Sequence, residues 1–485
     1  MYVIHFLTKQ NSYTMFGIEV SALSTGLFIA FIACLIMTFA FEFVNGFHDT
    51  ANAVATVIYT KSLKPTTAVV WSGLWNFAGV IFSSWFGLEV AMKIANLVPV
   101  EAVMSQAPAQ AAAMVLAILL GAIIWNLGTW YFGIPCSSSH TLIGSLLGVG
   151  IVFSTLPENT AKIGVNWSEA VNIGNALLFS PLFGFSMAIV LMFIMRSVIR
   201  NERSRAIFRE PNPDAAPPTW IRGLLITTCT LVSFFHGQND GQKGIGLLMV
   251  ALMTFMPFQY SLSPNFEPNK VQASLTIIQQ GLPADQVNNL FAPKELAKTV
   301  EMIEALKTDI ATANDVKSRL SIRKRINLLT KNVKTILDEP NIITDPTVRA
   351  TIKKEVKSLS SYTHYAPTWA IGLISLALGI GTMIGWKRIV VTIGEKIGKR
   401  HMTYAEGATA ELIAATTIGL SSQFGLPVST THVLSSGVAG AMVASKGVKN
   451  LQKGTITNIA LAWVLTLPAT IILSGGLYLL FRLFA

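Results

Sequence analysis

The chain has 485 residues, 52% hydrophobic and 13% charged, with a formal net charge of +11 and a mean hydropathy of +0.53. Soluble domains carry about 25% charged residues, so the composition excludes a soluble globular protein and reads as an all-α polytopic membrane protein. The excess of Lys and Arg falls between apolar runs, where it encodes topology; it forms no nucleic-acid footprint. The three cysteines, Cys34, Cys136 and Cys229, sit in apolar runs without ligand spacing and read as packing residues. The first 21 residues lack a compact basic start and a small-residue cleavage site, so the first apolar run reads as a retained helix.

Apolar runs long enough to cross a bilayer, about 20 residues each, can be followed in order against their basic flanks. Residues 23–44 continue through a polar cluster to Thr60 and meet Lys61 and Lys64, which puts that end in the cytoplasm and the N-terminus outside. Residues 67–90 return outward, 111–132 come in, and 134–153 go out as a full crossing or partly as a re-entrant hairpin. Residues 176–195 run inward to Arg196, Arg200, Arg203, Arg205 and Arg209. A domain of 1–210 thus holds five crossings. The second half follows from the opposite side. Residues 211–257 carry a second polar cluster and read as the first broken helix of a second repeat; 369–386, 408–424, 426–444 and 456–483 complete it within 368–485. The expectation is two inverted-topology repeats with discontinuous or re-entrant helices, about 10–12 membrane segments, and both termini outside.

The repeat is visible in residues. Gly46-Phe47-His48-Asp49-Thr50-Ala51-Asn52 and Gly237-Gln238-Asn239-Asp240-Gly241-Gln242-Lys243 lie 191 positions apart. Phe132-Gly133-Ile134-Pro135-Cys136-Ser137-Ser138-Ser139-His140 and Phe424-Gly425-Leu426-Pro427-Val428-Ser429-Thr430-Thr431-His432 lie 292 apart. The difference of 101 positions is about the length of the polar segment 258–367, which reads as an extramembrane insertion. Leu296, Val300, Ile303, Leu306 and Ile310, then Val316, Leu320, Ile326, Leu329, Val333 and Leu337, recur at three-to-four-residue spacing, the mark of amphipathic helices arranged as a hairpin. Arg323-Lys324-Arg325 reads as a solvated helix face. An external position for the insertion breaks no charge rule, since loops of more than about 60 residues translocate regardless of charge.

The chemistry follows from the two motif types. A charged side chain at bilayer depth costs about 2.5–3.5 kcal/mol on insertion scales, so Asp49 and Asp240 mark a solute or ion site. Each can ligate a hard cation, accept a coupling proton, or accept a hydrogen bond from a protonated oxyanion, which fully ionised sulfate cannot offer. Asn45, Asn52, Gln238, Asn239 and Gln242 supply neutral donors and acceptors beside them. The Pro-x-Ser-(Ser/Thr)-(Ser/Thr)-His strings suit half-helix starts whose free N–H groups and hydroxyls face an anion, with Pro135 or Pro427 beginning the helix. Two such starts brought together by a repeat axis cradle a tetrahedral oxyanion. No Gly-x-x-x-x-Gly-Lys-(Ser/Thr) loop is present, so energy comes from a gradient and no enzyme activity or cofactor is expected. A channel or receptor fits less well, since nothing shows a pore-lining repeat.

These paired clusters and paired Gly-x-Pro-x-Ser-(Ser/Thr)-(Ser/Thr)-His strings resemble the inorganic phosphate transporter (PiT) family of secondary transporters, and Gly-Gln-Asn-Asp-Gly-Gln-Lys-Gly-Ile-Gly resembles its bacterial low-affinity branch. The resemblance covers essentially the whole chain. It implies symport of inorganic phosphate with protons, as a neutral complex with Mg2+ or another divalent metal, across a bacterial inner membrane. It also implies substrate or ion roles for Asp49, Asn52, Ser137, Ser138, Ser139, Asn239, Asp240, Ser429, Thr430 and Thr431, and matches Glu411 to an acidic position of the sodium-coupled branch. No residues are assigned to a metal, and the sequence admits a homodimer. Sodium coupling, or carriage of another tetrahedral oxyanion such as sulfate or arsenate, is the alternative.

The departures bear on the coupling ion. The sodium-coupled branch reads Gly-Ala-Asn-Asp-Val-Ala-Asn in both halves; here His48 replaces the first Asn, and Lys243 the last Asn of the second copy. Local pattern pairs Glu411 with Asn76, which carries no charge. A Lys ammonium beside Asp240 takes the place of a bound sodium ion, so proton coupling is expected. Asp49, Asp240, Lys243, Glu411 and His48 are its candidate carriers.

Overall fold

A computed structural model describes residues 14–15, 18–19, 23–98, 107–157, 159, 164–212, 215–283, 294–310, 315–339, 341–385 and 387–485. After a two-residue hairpin of β1 (Thr14–Met15) and β2 (Ile18–Glu19), the chain runs through α1 (Thr25–Tyr59), α2 (Pro65–Phe86), α3 (Glu89–Ala95), α4 (Pro108–Tyr131), α5 (Ser138–Thr155) and α6 (Trp167–Val198). The second half opens with α7 (Thr219–Phe255). An inserted group follows: α8 (Pro268–Gly281), α9 (Lys294–Ile310), α10 (Val316–Asp338) and α11 (Pro346–Ser361). The chain ends with α12 (Thr368–Thr382), α13 (Lys387–Glu395), α14 (Tyr404–Gln423), α15 (Thr430–Lys446) and α16 (Lys453–Arg482). Among the described residues, five helices are long and apolar enough to cross a membrane, six if the bent pair α2–α3 counts as one. The count on this measure is smaller than the ten to twelve segments expected because α12 and α15 have only 15 and 17 residues, α14 carries Glu406 and Glu411, and α7 carries Arg222, Asp240 and Lys243.

Packing between the two halves is reciprocal, and their glycines show its register. A Cβ on Gly46 would stand 2.4 Å from the Leu378 carbonyl oxygen, and one on Gly237 2.2 Å from that of Asn76; a Cβ on Gly79 would stand 2.1 Å from the Phe234 oxygen, and one on Gly381 2.2 Å from that of Phe43. Phe43 and Gly46 match Phe234 and Gly237 at the displacement of 191, while Asn76 and Gly79 match Leu378 and Gly381 at 302. Each half's long helix therefore packs on the following helix of the other half, in the same register. The exchange is repeated further on, where α5 packs on α16 and α15 on α6. Two corrections follow. The helices carrying the polar clusters are continuous, with 35 and 37 residues, because Gly46 and Gly237 serve close backbone approach and are not breaks. Glu411 stands as far before Gly425 as Leu119 stands before Gly133, so its counterpart is Leu119, and Asn76 corresponds to Leu378.

The chain divides into two compact units, 1–251 with 367–485, and 252–366. The second has its own core, in which Val271, Leu275 and Ile278 of α8, Leu296, Ile303 and Leu306 of α9, Ile326, Leu329 and Val333 of α10 and Ile352, Val356 and Leu359 of α11 are buried together. It is thus a four-helix group, larger than the hairpin expected, because α8 and α11 pair as α9 and α10 do. In α10 the buried stripe is phased on Ile322, Ile326, Leu329, Val333 and Ile336, and Val316 is exposed. Arg323 is also a correction: it is buried and donates from Nη1 to the carbonyls of Ser261 at 3.0 Å and Thr363 at 2.8 Å. Trp386, at the end of one expected span, lies outside the described residues; before it α12 ends at Thr382, and Gly385 turns with φ 76°.

Candidate functional site

The paired Gly-x-Pro-x-Ser strings are helix stops followed by restarts. Gly133 and Gly425 take φ of 66° and 64°, a left-handed conformation open to glycine at little cost. Ile134 N donates to Thr129 O, and Leu426 N to Ser421 O, at 2.9 and 2.8 Å; this closing bond five residues back satisfies a carbonyl that the helix end leaves free. The prolines lie in the extended link and do not begin the helices. Ser137 and Ser429 cap them instead, each accepting at 3.1 Å from the backbone N–H of His140 and His432. That leaves Ser138, Ser139, Thr430 and Thr431 buried in the first turns, with Ser138 and Thr431 reaching α1 and Ser139 reaching α7.

Asp49 joins the two restarts. Its Oδ2 accepts from Ser138 Oγ at 2.7 Å, and its Oδ1 accepts from Thr431 Oγ1 at 2.8 Å and Asn52 Nδ2 at 3.3 Å. His48 Nδ1 lies 3.3 Å from the same oxygen; a carboxylate can only accept, so Nδ1 carries the hydrogen. Asn52 Nδ2 also donates to Thr431 Oγ1 at 2.9 Å. Opposite, Lys243 Nζ meets three oxygens: Asp240 Oδ1 at 2.6 Å, Ser139 Oγ at 2.5 Å and Val428 O at 3.3 Å. Asn239 pins the extended link, donating to Ser422 Oγ and Leu426 O and accepting from Val428 N. Its counterpart His48 reaches Thr129 Oγ1 at the end of α4. The structure thus brings together Asp49, Asn52, His48, Ser138, Ser139, Asn239, Asp240, Lys243 and Thr431, with Thr430 beside them in the same turn.

Glu411 sits apart. Its carboxylate accepts from Thr56 of α1 and Thr228 of α7, fully buried and without a contact to either aspartate. Gln242 is structural: its Oε1 accepts from Val90 N and Ala91 N at the start of α3, at 3.0 and 3.3 Å. Two buried groups were not picked out from the sequence. His236 stands one turn before Asp240, its Nε2 3.6 Å from both Asp49 Oδ2 and Asp240 Oδ2. Glu42 stands two turns before Asp49 and accepts from Asn45 Nδ2 at 3.3 Å. A four-residue step along a helix returns to the same face, and that spacing was the signal available for His236. Buried polar atoms without a hydrogen-bond partner occur beside these groups, among them Glu42 Oε2, Asn52 Oδ1, Asp240 Oδ2 and Thr430 Oγ1. Leaving such a group unpaired costs about 1–3 kcal/mol, so these atoms point to a polar ligand. Donor atoms of Asp49, His236 and Asp240 lie within 4.8 Å of one another, a spacing that could hold a metal ion.

The described family whose sequence model matches is "Phosphate transporter family", over residues 45–474. This chain belongs to the phosphate transporter family. The match takes in both aspartates, both helix restarts and the insertion. Among relatives, the chain is 38% identical to the low-affinity inorganic phosphate transporter PitA of Escherichia coli K12, covering 94% of this chain and 97% of that protein. It is 39% identical to PitB of the same strain, over 94% and 96%, and 29% identical to a probable low-affinity inorganic phosphate transporter of Bacillus subtilis, over 94% and 98%. A solved structure titled "The sodium-dependent phosphate transporter" superposes with TM-score 0.53 at 20% identity, covering 94% of this chain and all of that one, and so shares the fold. Membership makes the protein a multi-pass membrane transporter and not an enzyme, with phosphate as the substrate of its family.

Proposed function

We propose that this protein imports inorganic phosphate across a bacterial inner membrane by proton symport, carrying it as a neutral complex with a divalent metal. The two repeats, oppositely oriented in the bilayer, alternate access to one site between them. The observation that carries this reading is the clamp on Asp49, where hydroxyls from the first turns of α5 and α15 meet one carboxylate at 2.7 and 2.8 Å. A protonated oxyanion has both the hydrogen to give that carboxylate and the oxygens to take those hydroxyls. The reciprocal packing of the halves supports alternating access, because a site built equally from both changes exposure when they rock.

Proton coupling is supported by Lys243. Its ammonium already has the oxygen neighbours a bound monovalent cation would take, tethered to the chain so that it is not carried across. A coupling charge must then arrive on a group that titrates. Uptake of labelled phosphate into proteoliposomes, driven by an inward pH gradient with sodium absent, tests this. Accumulation that collapses with a protonophore is the expected result. Accumulation only on adding sodium overturns proton coupling, and none under either gradient overturns the carrier itself. Arsenate, close to phosphate in shape and protonation, should compete; sulfate should not.

A further inference from the structure

Glu42 is a carboxylate that the clamp on Asp49 leaves unused. It is fully buried; its Oε1 accepts from Asn45 Nδ2 at 3.3 Å, and its Oε2 has no hydrogen-bond partner. Among the described residues, the buried ion pairs here run from His236 and Lys243 to Asp49 and Asp240, and none includes Glu42. The displacement of 191 sets Glu42 and Asn45 of α1 against Ser233 and His236 of α7, so one half carries an acid at the layer where the other carries a base. The same displacement sets Gly244 against Ala53, and the glycine has a use: a Cβ there would collide with Glu42 Oε2 and Cδ. The carboxyl lies against α7 in room that glycine leaves, one residue beyond Lys243.

A charge count shows what this group adds. His236 Nδ1 lies 2.7 Å from Asn76 Oδ1, and the bond from Asn76 Nδ2 to Thr382 Oγ1 at 3.2 Å fixes that end of the amide toward the ring, so Nδ1 carries a hydrogen. Its Nε2 stands 3.6 Å from a carboxylate oxygen of both Asp49 and Asp240, and two facing carboxylates hold a second proton on the ring. His48 stays neutral, with its Nδ1 hydrogen on Asp49 and the Thr129 hydroxyl beside Nε2. The His236 imidazolium and the Lys243 ammonium then balance the two aspartates. Glu42 is the charge left over.

We propose that Glu42 is the residue that takes up the coupling proton, binding it on the side from which phosphate enters and releasing it on the other. The proposal rests on the proton-symport reading and names its carrier. An ionised Glu42 gives the cluster a net negative charge, which repels an incoming oxyanion, and a carboxylate buried without a cation is costly. A proton taken from water onto Oε2 removes both penalties, so proton and phosphate each favour the other's binding, as linkage requires. Glu42 stands two turns from Asp49, toward the end of α1 away from Lys61 and Lys64. The titratable groups facing it are Asp240, Lys243 and His236 of α7. Of the other helices packed on α1, α2 and α12 carry none and α4 only Tyr131, its last residue. Those of α5, α13, α14 and α15 join α1 from Asp49 onward, through Ser138 and Thr431 on Asp49, Glu411 on Thr56 and Gly394 against Tyr59.

The test compares full-length wild type and Glu42→Gln in proteoliposomes with labelled phosphate. Glutamine keeps the shape of the protonated side chain and has no proton to release. Glu42→Gln should exchange internal for external phosphate at a rate within a few-fold of wild type, while losing the accumulation that an inward pH gradient drives. At alkaline pH it should also bind phosphate about 5–150-fold more tightly than the wild type, the usual span of a coupling between two sites. Accumulation by Glu42→Gln under the pH gradient overturns the assignment, and so does an affinity at alkaline pH equal to that of the wild type. Loss of exchange along with accumulation also overturns it and makes Glu42 a packing residue. Accumulation by the wild type in the same vesicles decides the proton-symport reading separately, so that with it intact each of these results removes Glu42 alone.

Discussion

Asp49 receives hydrogen bonds from side chains of three helices, which makes it the residue on which the halves converge. A buried charge-assisted bond contributes about 1.5–3 kcal/mol, and Asp49→Asn turns part of this acceptor into a donor facing Ser138 and Thr431. Phosphate uptake should then fall about thirtyfold or more, the equivalent of about 2 kcal/mol, with unchanged yield of monodisperse protein; uptake within a few-fold of wild type would remove Asp49 from the site. Lys243 makes a sharper case. Removing one partner of a buried ion pair costs about 3–5 kcal/mol, and Lys243→Asn leaves Asp240, Ser139 and the Val428 carbonyl as an oxygen cage for a small cation. Its uptake should be low without sodium and restored by it, whereas wild-type uptake should not change with sodium. Both aspartates were legible in the sequence, since a carboxylate in an apolar run has a cost that demands a reason. His236 and Glu42 were missed because both lie outside the polar strings, although Glu42 is itself a carboxylate in an apolar run and His236 stands one turn before Asp240.

At the scale of the element, what the chain does with glycine divides sharply. Gly133 and Gly425 carry positive φ and stop helices, whereas Gly46 and Gly237 lie inside unbroken ones and press against backbone carbonyls of the opposite half. Sequence pattern does not separate these uses, since helix propensity treats every glycine as a weak point and only tertiary packing tells which is a turn. Gly237→Ala should therefore be a folding lesion, costing about 1–3 kcal/mol or more by overpacking and read as a lower thermal midpoint. Gly133→Ala should cost about 1–2 kcal/mol from the left-handed backbone; a midpoint unchanged in either would contradict the packing described. In the insertion, Asp345 caps α11, accepting from Thr347 N at 2.7 Å and Val348 N at 3.4 Å, and these bonds hold its carboxyl below the usual carboxylate range. A folded value below the unfolded one stabilises at pH above the ordinary carboxylate range and is lost as pH falls through the folded value. Hydrogen exchange at the first turn of α11 should thus rise in Asp345→Ala near neutral pH, and the difference from wild type should vanish in acid. A difference that persists in acid would remove the charge from the cap.

On the scale of the whole molecule, the second unit is inserted within the second half of the chain. Every residue placed around Asp49 and Asp240 belongs to 1–251 or 367–485, while the inserted helices bury Leu296, Ile303, Ile326 and Leu329 among themselves. The periodicity of the insertion was legible because amphipathic helices announce themselves at three-to-four-residue spacing. The pairing of α8 with α11 was not, since it depends on segments far apart in sequence, and the burial of Arg323 was not, because a basic string ordinarily faces water. Division into two cores carries a mechanical consequence. Leu329 is fully buried, and Leu329→Ala should destabilise the insertion by about 2–5 kcal/mol through lost contacts and a cavity. Hydrogen exchange of α9 and α10 in the full-length protein should accelerate, while exchange in α1 and α7 and phosphate uptake per folded molecule remain at wild-type levels. If uptake falls as α9 and α10 loosen, the insertion is coupled to the transport cycle and its core is part of the machinery that moves. If uptake holds, transport does not depend on the core of the insertion.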